Sequence, residues 1–409
     1  MSDETKASAT VSDYLRWRGD LTFAQDGFNE VDNLLLCIIS YIKLENIPQL
    51  RSFDPQDAMP MGDVCRLLTE EDEQLGLSTL DYIPLMRQAA ETPRFREVSL
   101  FAFESLHDED RQMQFAAVSF LLPDGSVYAA YRGTDMTIVG WQEDFNMSFL
   151  SAVPAQVKAA EYAGAVARAC PGRALRIGGH SKGGNLAAWA AVHLDEKLQR
   201  LADARPANGK LQRQRLIAAY NNDGPGFSRD LVDTPGYQAV ADRLFTYIPA
   251  SSIVGVLLEH AEDYEVVDST ARSIMQHEPL SWCVEGPRFV HLGQRSQLGQ
   301  LSDGVLREWI GSMSPREREQ FSRAFFDILS RGGRTKTLED LRSGGLAAGA
   351  ALIREYAGAD EEKKKIISEI FRRLAVDVKD ELMKAAGAGV RRAGESILAT
   401  GQAIADLRK

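Results

Sequence analysis

The ten residues from Ile177 to Leu186, I-G-G-H-S-K-G-G-N-L, constrain this chain more than any other stretch, because a serine between glycines demands a particular local backbone. A short apolar run, Ala174 to Ile177, precedes them, and Ala187 to Leu194 reads as a helix. Strand, tight glycine turn and helix form the setting in which G-x-S-x-G becomes a nucleophile elbow, with Ser181 held on a strained corner above a sheet. Gly179 and Gly183 then have a mechanical role: a side chain at either position would strike the neighbouring strand or helix as the backbone doubles back. The elbow also aims the first amides of the following helix, including that of Lys182, at negative charge forming on a substrate oxygen. An ordinary glycine turn is the plainer alternative for the same residues.

A length of 409 residues accommodates one large domain with additions, or two domains. The net charge of -11 argues against a general role in binding nucleic acid backbones, which takes a basic face. The amino terminus, M-S-D-E-T-K, lacks the basic start and long apolar core of a secretory signal. No uninterrupted apolar run approaches the roughly 18 residues of a membrane span. The sequence therefore reads as cytoplasmic, with no transmembrane segment. Cys37, Cys65, Cys170 and Cys283 are scattered in apolar contexts with no C-x-x-C pair and no metal-ligand spacing, so they read as buried thiols. No metal or organic cofactor is implied.

Residues 1–12 read as a disordered amino terminus, 13–300 as an α/β domain and 301–409 as a helical C-terminal extension. Asn29 to Ile42 is an apolar helix announced by polar capping residues, and a second helix is expected near Val64 to Gln74. Phe115 to Leu122 and Val127 to Tyr131, joined by Pro123-Asp124-Gly125-Ser126, predict a hairpin. A helix around Val157 to Ala169 follows, then the strand before Ser181, the helix after it, and strands at Leu216 to Tyr220, Leu244 to Ile248 and Tyr264 to Val267. Such alternation predicts an α/β sheet flanked by helices. From about Ser302 the chain becomes charged, alanine-rich and helical, as in Ser314 to Leu329 and Asp360 to Val376. Gly344 to Gly358 and Ala385 to Leu407 carry small residues at helical spacing, which suits a helix folded back on the body and leaves peripheral membrane contact open.

A serine hydroxyl is a weak nucleophile at neutral pH, so Ser181 needs a base, and the base needs an acid to hold its tautomer. In the α/β-hydrolase arrangement these follow in the order serine, acid, histidine. Downstream of Ser181 the histidines are His193, His260, His277 and His291. His193 lies about three turns into the helix after the elbow, and His260 ends an apolar helical stretch, Ile253 to Glu259; both read as structural. His277, in the loop S-I-M-Q-H-E-P-L-S-W after the last strand, is favoured as base, ahead of His291. Asp223, in Y-N-N-D-G-P-G at the carboxyl end of its strand, is favoured as acid ahead of Asp263 and Asp268, although any polar turn would contain such residues. An oxyanion takes one amide after the nucleophile and one from an earlier strand-to-helix loop. V-Y-A-A-Y-R-G-T-D-M-T supplies that loop, with Gly133 allowing the turn and Thr134 as donor beside Lys182. Arg132 and Asp135 read either as a pair behind that loop or as a surface salt bridge.

These motifs resemble a known family. Y-R-G-T-D with Trp141 following, together with G-G-H-S-K-G-G-N-L-A, is similar to the class 3 lipases. F-N-E-V-D-N at Phe28 to Asn33, G-W-Q-E-D-F-N-M-S-F at Gly140 to Phe149, and Q-H-E-P-L-S-W at Gln276 to Trp282 bring the chain closer to a bacterial lipase-related branch, the Mbeg-like family, over about residues 13–295. The resemblance implies an α/β-hydrolase fold, Ser181 as nucleophile, His277 as base, and Thr134 with Lys182 as oxyanion donors. It departs at the acid. Class 3 lipases place an aspartate in a later loop, where the matching segment here, Tyr247 to Gly255, offers Ser251 and Ser252; Asp223 is similar to the acid of pancreatic-type lipases. Lys182 stands where most lipases have an apolar residue, and its side chain either recognises an anionic substrate or is simply solvated. The reading that results is a serine hydrolase acting on a small-molecule or lipid ester, with a non-catalytic binding module on the same scaffold as its rival. Oligomeric state is not legible.

Overall fold

The computed structural model describes residues 8–69, 82–134, 138–147, 150–203, 216–252, 254–296 and 312–329, with a few positions between 356 and 368. Its helices are α1 (Val11–Arg18), α2 (Glu30–Ile39), α3 (Met61–Leu67), α4 (Tyr82–Glu91), α5 (Ile138–Asn146), α6 (Pro154–Ala169), α7 (Lys182–Asp203) and, after two short turns, α8 (Pro315–Leu329). The strands are β1 (Met59–Pro60), β2 (Ser99–Asp108), β3 (Met113–Leu121), β4 (Val127–Tyr131), β5 (Leu175–His180), β6 (Leu216–Asn222), β7 (Leu244–Pro249), β8 (Tyr264–Val267), β9 (Val284–Glu285), β10 (Arg288–Phe289) and β11 (His291–Leu292). Nine of them form one sheet in the order β1-β2-β3-β4-β5-β6-β7-β8-β11. β4 through β8 run parallel, while β3 pairs with β4 and β11 with β8 in the antiparallel sense. The architecture is α/β, a mixed and mostly parallel central sheet flanked by helices.

Residue chemistry explains the layers. β4, V-Y-A-A-Y, is buried on both faces, as an interior strand of such a sheet must be. Side chains alternate across it: the hydroxyl of Tyr128 donates to Asn33 Oδ1 on α2 at 2.6 Å, and that of Tyr131 to the Ala159 carbonyl on α6 at 2.8 Å. The two helices therefore cover opposite faces. The β3–β4 hairpin is as the sequence predicts, with Asp124 Oδ1 accepting the Ser126 amide at 2.9 Å and Gly125 at φ 81°.

The F-N-E-V-D-N segment turns out to be scaffolding. Asn29 caps α2 by accepting from the amides of Val31 and Asp32, and Asp32 returns the bond to the Asn29 amide at 3.0 Å. Asp32 is also fully buried against Arg94, whose Nε lies 2.7 Å from Oδ1, and it accepts the Tyr14 hydroxyl at 2.8 Å. Breaking one side of such a pair leaves an uncompensated buried charge, at a cost of about 3 to 5 kcal/mol. Phe28 lies beneath the Arg176 guanidinium, 4.6 Å away.

Contacts divide the chain into two compact units. The first holds 1–107, 115–133 and 154–295; the second gathers 108–114, 134–153 and 296–409. Two segments that the sequence assigns to the sheet domain thus cluster with the tail. Within the second unit, Phe145 of α5 packs on Phe321 and Phe326 of α8, and Asn146 accepts the Ser322 hydroxyl at 2.8 Å. Phe145 and Asn146 of the G-W-Q-E-D-F-N-M-S-F segment are accordingly packing residues of that unit.

Two expectations change. The helix near Val64 to Gln74 is observed as Met61–Leu67, with 70–74 outside the described residues. Of the stretch Ile253 to Glu259, the described residues 254–259 hold not a helix but a single 3-10 turn, Val254–Val256. Its carbonyls and amides are taken elsewhere: Leu257 O accepts from Gly226, and Glu259 exchanges both backbone bonds with Phe227. The helix Ser314 to Leu329 is present as α8. The further helices expected at Gly344 to Gly358, Asp360 to Val376 and Ala385 to Leu407, and residues 1–7 of the amino terminus, lie almost wholly outside the described residues. Among the described residues no helix is long and apolar enough to cross a membrane. Cys37, Cys170 and Cys283 are buried and Cys65 half-buried, all unbridged.

Candidate active site

Connections after β5, β6 and β8 deliver three side chains to the carboxyl edge of the parallel strands, where loops in open α/β sheets converge. β5 ends at His180, and Ser181 sits between it and α7 at φ 58°, a left-handed conformation that costs an L-residue about 1 to 3 kcal/mol. The corner is held: the Ser181 amide donates to the Asn222 carbonyl at 2.9 Å, continuing the ladder one residue past the paired end of β5 and β6. A Cβ on Gly179 would be driven into the Gly183 backbone, and one on Gly183 into the Tyr131 carbonyl. Those two glycines are what the tight reversal requires.

Asp223 repeats the device one strand along. It follows β6 at φ 54°, and its amide donates to the Tyr247 carbonyl at 2.8 Å. Its carboxylate is fully buried. Oδ1 accepts the Gly255 amide at 3.1 Å, and Oδ2 accepts the Ser252 hydroxyl at 2.7 Å. The segment Tyr247 to Gly255, which carries no aspartate, thus serves the carboxylate with a hydroxyl and an amide.

His277 closes a 3-10 turn, Ser273–His277, in the excursion after β8. Its Nδ1 is 2.7 Å from Asp223 Oδ2 and its Nε2 is 3.0 Å from Ser181 Oγ. A buried carboxylate can only accept, so Nδ1 carries the proton and Nε2 offers its lone pair to the serine hydroxyl. The rest of Q-H-E-P-L-S-W builds this loop. Gln276 Oε1 accepts the Ser251 amide at 2.7 Å, and Glu278, whose carboxyl burial pushes up, accepts the Tyr82 hydroxyl at 2.9 Å. The indole N–H of fully buried Trp282 donates to the Gln276 carbonyl at 3.0 Å.

The other histidines are engaged elsewhere. His193 stacks on Trp189 at 4.2 Å, and His291 bridges Glu30 and Glu265. His260 donates to the Gly255 carbonyl at 2.8 Å and pairs with Glu262. Burial pushes the Glu262 carboxyl up, but bonds from His260, Thr246 and Tyr237 hold it below the usual range. Asp263 is exposed, and Asp268 Oδ1 accepts the Ser269 amide, so the aspartate meeting His277 is Asp223.

Thr134 falls in the second unit, where its hydroxyl donates to Asp144 Oδ2 at 2.5 Å. Its neighbour Gly133, in the first unit, packs so closely on the elbow that a Cβ there would meet the His180 carbonyl and the Ser181 Cβ. Arg132 is buried and reaches Glu45 at 3.4 Å, while Asp135 lies outside the described residues. Lys182 departs from the solvated reading of its side chain. It is 1% exposed, so the ammonium is not solvated but engaged within the protein. Its amide stands at the amino end of α7, where the helix dipole is positive.

Sequence reasoning names Ser252 without a role and misses His180 and Gly255. His180 is legible as an imidazole beside the serine, but nothing local indicates what it bonds; Gly255 acts through its backbone amide, which residue type does not signal. Among the described residues no cluster of three or more His, Cys, Asp or Glu is placed to hold a metal ion. A family model described as Mbeg1-like matches residues 89–327, more than half of the chain. No curated protein and no solved structure matches it.

Proposed function

From its place in the Mbeg1-like family, to which the chain belongs, we propose that it is a serine hydrolase of carboxylic esters, lipase-like or esterase-like, built on an α/β-hydrolase arrangement. The observation that carries this reading is the continuous path Asp223 Oδ2 to His277 Nδ1, 2.7 Å, and His277 Nε2 to Ser181 Oγ, 3.0 Å, assembled from residues far apart in the chain. The order serine, acid, histidine after the parallel strands β5, β6 and β8, and the strained corner at Ser181, support the hydrolase arrangement.

In this mechanism His277 Nε2 takes the hydroxyl proton as Ser181 Oγ bonds to the ester carbonyl carbon. The carbonyl oxygen becomes an oxyanion beside the amino end of α7, with the Lys182 amide as donor. Thr134 is proposed as the second donor on its loop motif alone. Collapse breaks the bond to the alkoxide, which leaves with the proton from His277. Water then gives a proton to His277 and attacks the acyl-enzyme; the acid departs and Ser181 recovers its proton. Asp223 stays ionised throughout, stabilising the imidazolium that forms twice per cycle. No step calls on a metal or organic cofactor.

The test is labelling by a fluorophosphonate probe together with hydrolysis of a short p-nitrophenyl ester. Wild type should react with the probe and turn over the ester, and Ser181→Ala should lose both almost completely, because triad members act as a unit. A wild-type chain inert in both assays rejects the enzyme reading in favour of a binding module; activity that survives Ser181→Ala assigns the chemistry to a different nucleophile.

A further inference from the structure

His180 immediately precedes the serine, is buried, and has no part in the proton path described above. Its Nε2 lies 2.8 Å from the main-chain carbonyl of His277, and its Nδ1 lies 3.0 Å from the Tyr41 hydroxyl just beyond the end of α2. A carbonyl only accepts, so Nε2 carries the proton and donates; Nδ1 then accepts the proton of Tyr41, which also leans toward the His180 carbonyl at 3.2 Å. The ring is packed against His277 at 4.7 Å between centroids and meets the edge of Trp282 at 6.4 Å.

We propose that His180 is a positioning residue for His277, its ring N–H holding the His277 main chain so that the imidazole stays within bonding reach of Ser181. The proposal rests on the hydrolase reading above for its consequence in rate, though not for its geometry. The carbonyl it holds ends a 3-10 turn, where the turn itself supplies no donor. Two consecutive residues thus grip opposite ends of one histidine, Ser181 at the ring and His180 at the backbone, and both move with the end of β5. Tyr41 sets the tautomer that makes the donor available.

The choice of histidine as donor has a chemical reason. The reaction makes His277 cationic, and a lysine or arginine beside it would oppose that charge. Burial, and then the neighbouring His277, hold the His180 imidazole well below the ordinary histidine range, so it donates while neutral. Misplacement of a catalytic group by about 1 Å can cost about 100-fold in rate.

The experiment compares full-length wild type, His180→Phe, His180→Gln and Tyr41→Phe by three readouts: the rate of fluorophosphonate labelling, KM and kcat on the p-nitrophenyl ester, and the low-field proton NMR resonance of His277 Nδ1–H bonded to Asp223. In His180→Phe, labelling and kcat should fall about 10- to 100-fold with KM nearly unchanged, and the resonance should broaden or vanish. His180→Gln, which restores a neutral N–H donor, should recover most of both. Tyr41→Phe, which keeps the ring but releases its tautomer, should give a smaller loss and covers the case in which His180→Phe does not fold. Unchanged rate and resonance in His180→Phe, or in both other variants if that one is unfolded, overturn the proposal while leaving the hydrolase reading intact. An unlabelled wild type whose resonance is nonetheless lost in His180→Phe does the reverse, rejecting the hydrolase and keeping the positioning link.

Discussion

Asp223 shows how much a single side chain depends on its donors. Three bonds, from Ser252, Gly255 and His277, converge on a carboxylate shielded from water. Its partner His277 must keep the proton on Nδ1, and the carboxylate enforces this because it cannot donate. Asp223→Asn replaces one oxygen with an amide that donates, so the same geometry then favours the other tautomer and takes the lone pair away from Ser181. On the proposed hydrolase mechanism the expected outcome is a kcat on the p-nitrophenyl ester lower by about 10⁴-fold, as the same change gives in known triads, with the folded state retained by circular dichroism. A loss below tenfold would mean that Asp223 does not govern the tautomer of His277.

At the scale of elements, the strand-turn-helix unit β5-Ser181-α7 is the least tolerant part of the molecule. Gly183 lies where α7 crosses the end of β4, and a Cβ there would press on the Tyr131 carbonyl, a backbone atom held in the sheet. Backbone cannot yield as a flexible side chain can, so the helix start has to shift. Gly183→Ala should lose about 1 to 3 kcal/mol in urea unfolding and, because Ser181 moves with the helix, lose fluorophosphonate labelling more steeply than stability. Equal labelling by the variant and wild type would show that the corner accommodates a methyl. The loop carrying His277 is held differently, by backbone bonds at its base, between Thr270 and Ser281 and between Cys283 and Asp268, and by side chains. Gln276, Glu278 and Trp282 each anchor it through one bond to a distant segment or to the loop itself.

For the whole molecule, the histidines give opposite responses to pH. Burial holds His180 neutral well below its ordinary value of 6.5, whereas the unfolded chain takes up that proton near 6.5. The stability it contributes is therefore full above about pH 6.5 and is lost as the pH falls toward its folded value, by at most about 1.4 kcal/mol per pH unit. His291 runs the other way. Partial burial pushes it down, but bonds to Glu30 and Glu265 outweigh that and raise it, so its contribution is full below about pH 6.5 and is lost as the pH rises through its folded value. His291 is partly solvated and its effect is screened, so the acid-side loss from His180 should dominate. Thermal melting should drop more between pH 6.5 and 5 than between pH 7 and 8.5, and His180→Gln should flatten the acid limb. An acid limb unchanged by that substitution would assign the loss to other groups.

The sequence by itself determined what is local: the glycine-flanked corner at Ser181, the capped helix after Asn29, the Asp124-Gly125 hairpin, and the strand and helix alternation that makes the sheet. Those follow from backbone sterics, capping and periodicity over a few residues. The serine, acid, histidine order also points to Ser181, Asp223 and His277, because the loops after the parallel strands all open on the carboxyl edge of the sheet. Tertiary structure alone decided which atoms meet. That Ser252 and Gly255 serve Asp223, that Tyr41 reaches His180 and His180 the backbone of His277, that Lys182 is buried, and that Thr134 clusters with the tail segments depend on strand order, register and packing. Contacts between residues roughly 30 to 140 positions apart are set by how the whole sheet closes its core, and no short window of sequence carries that information.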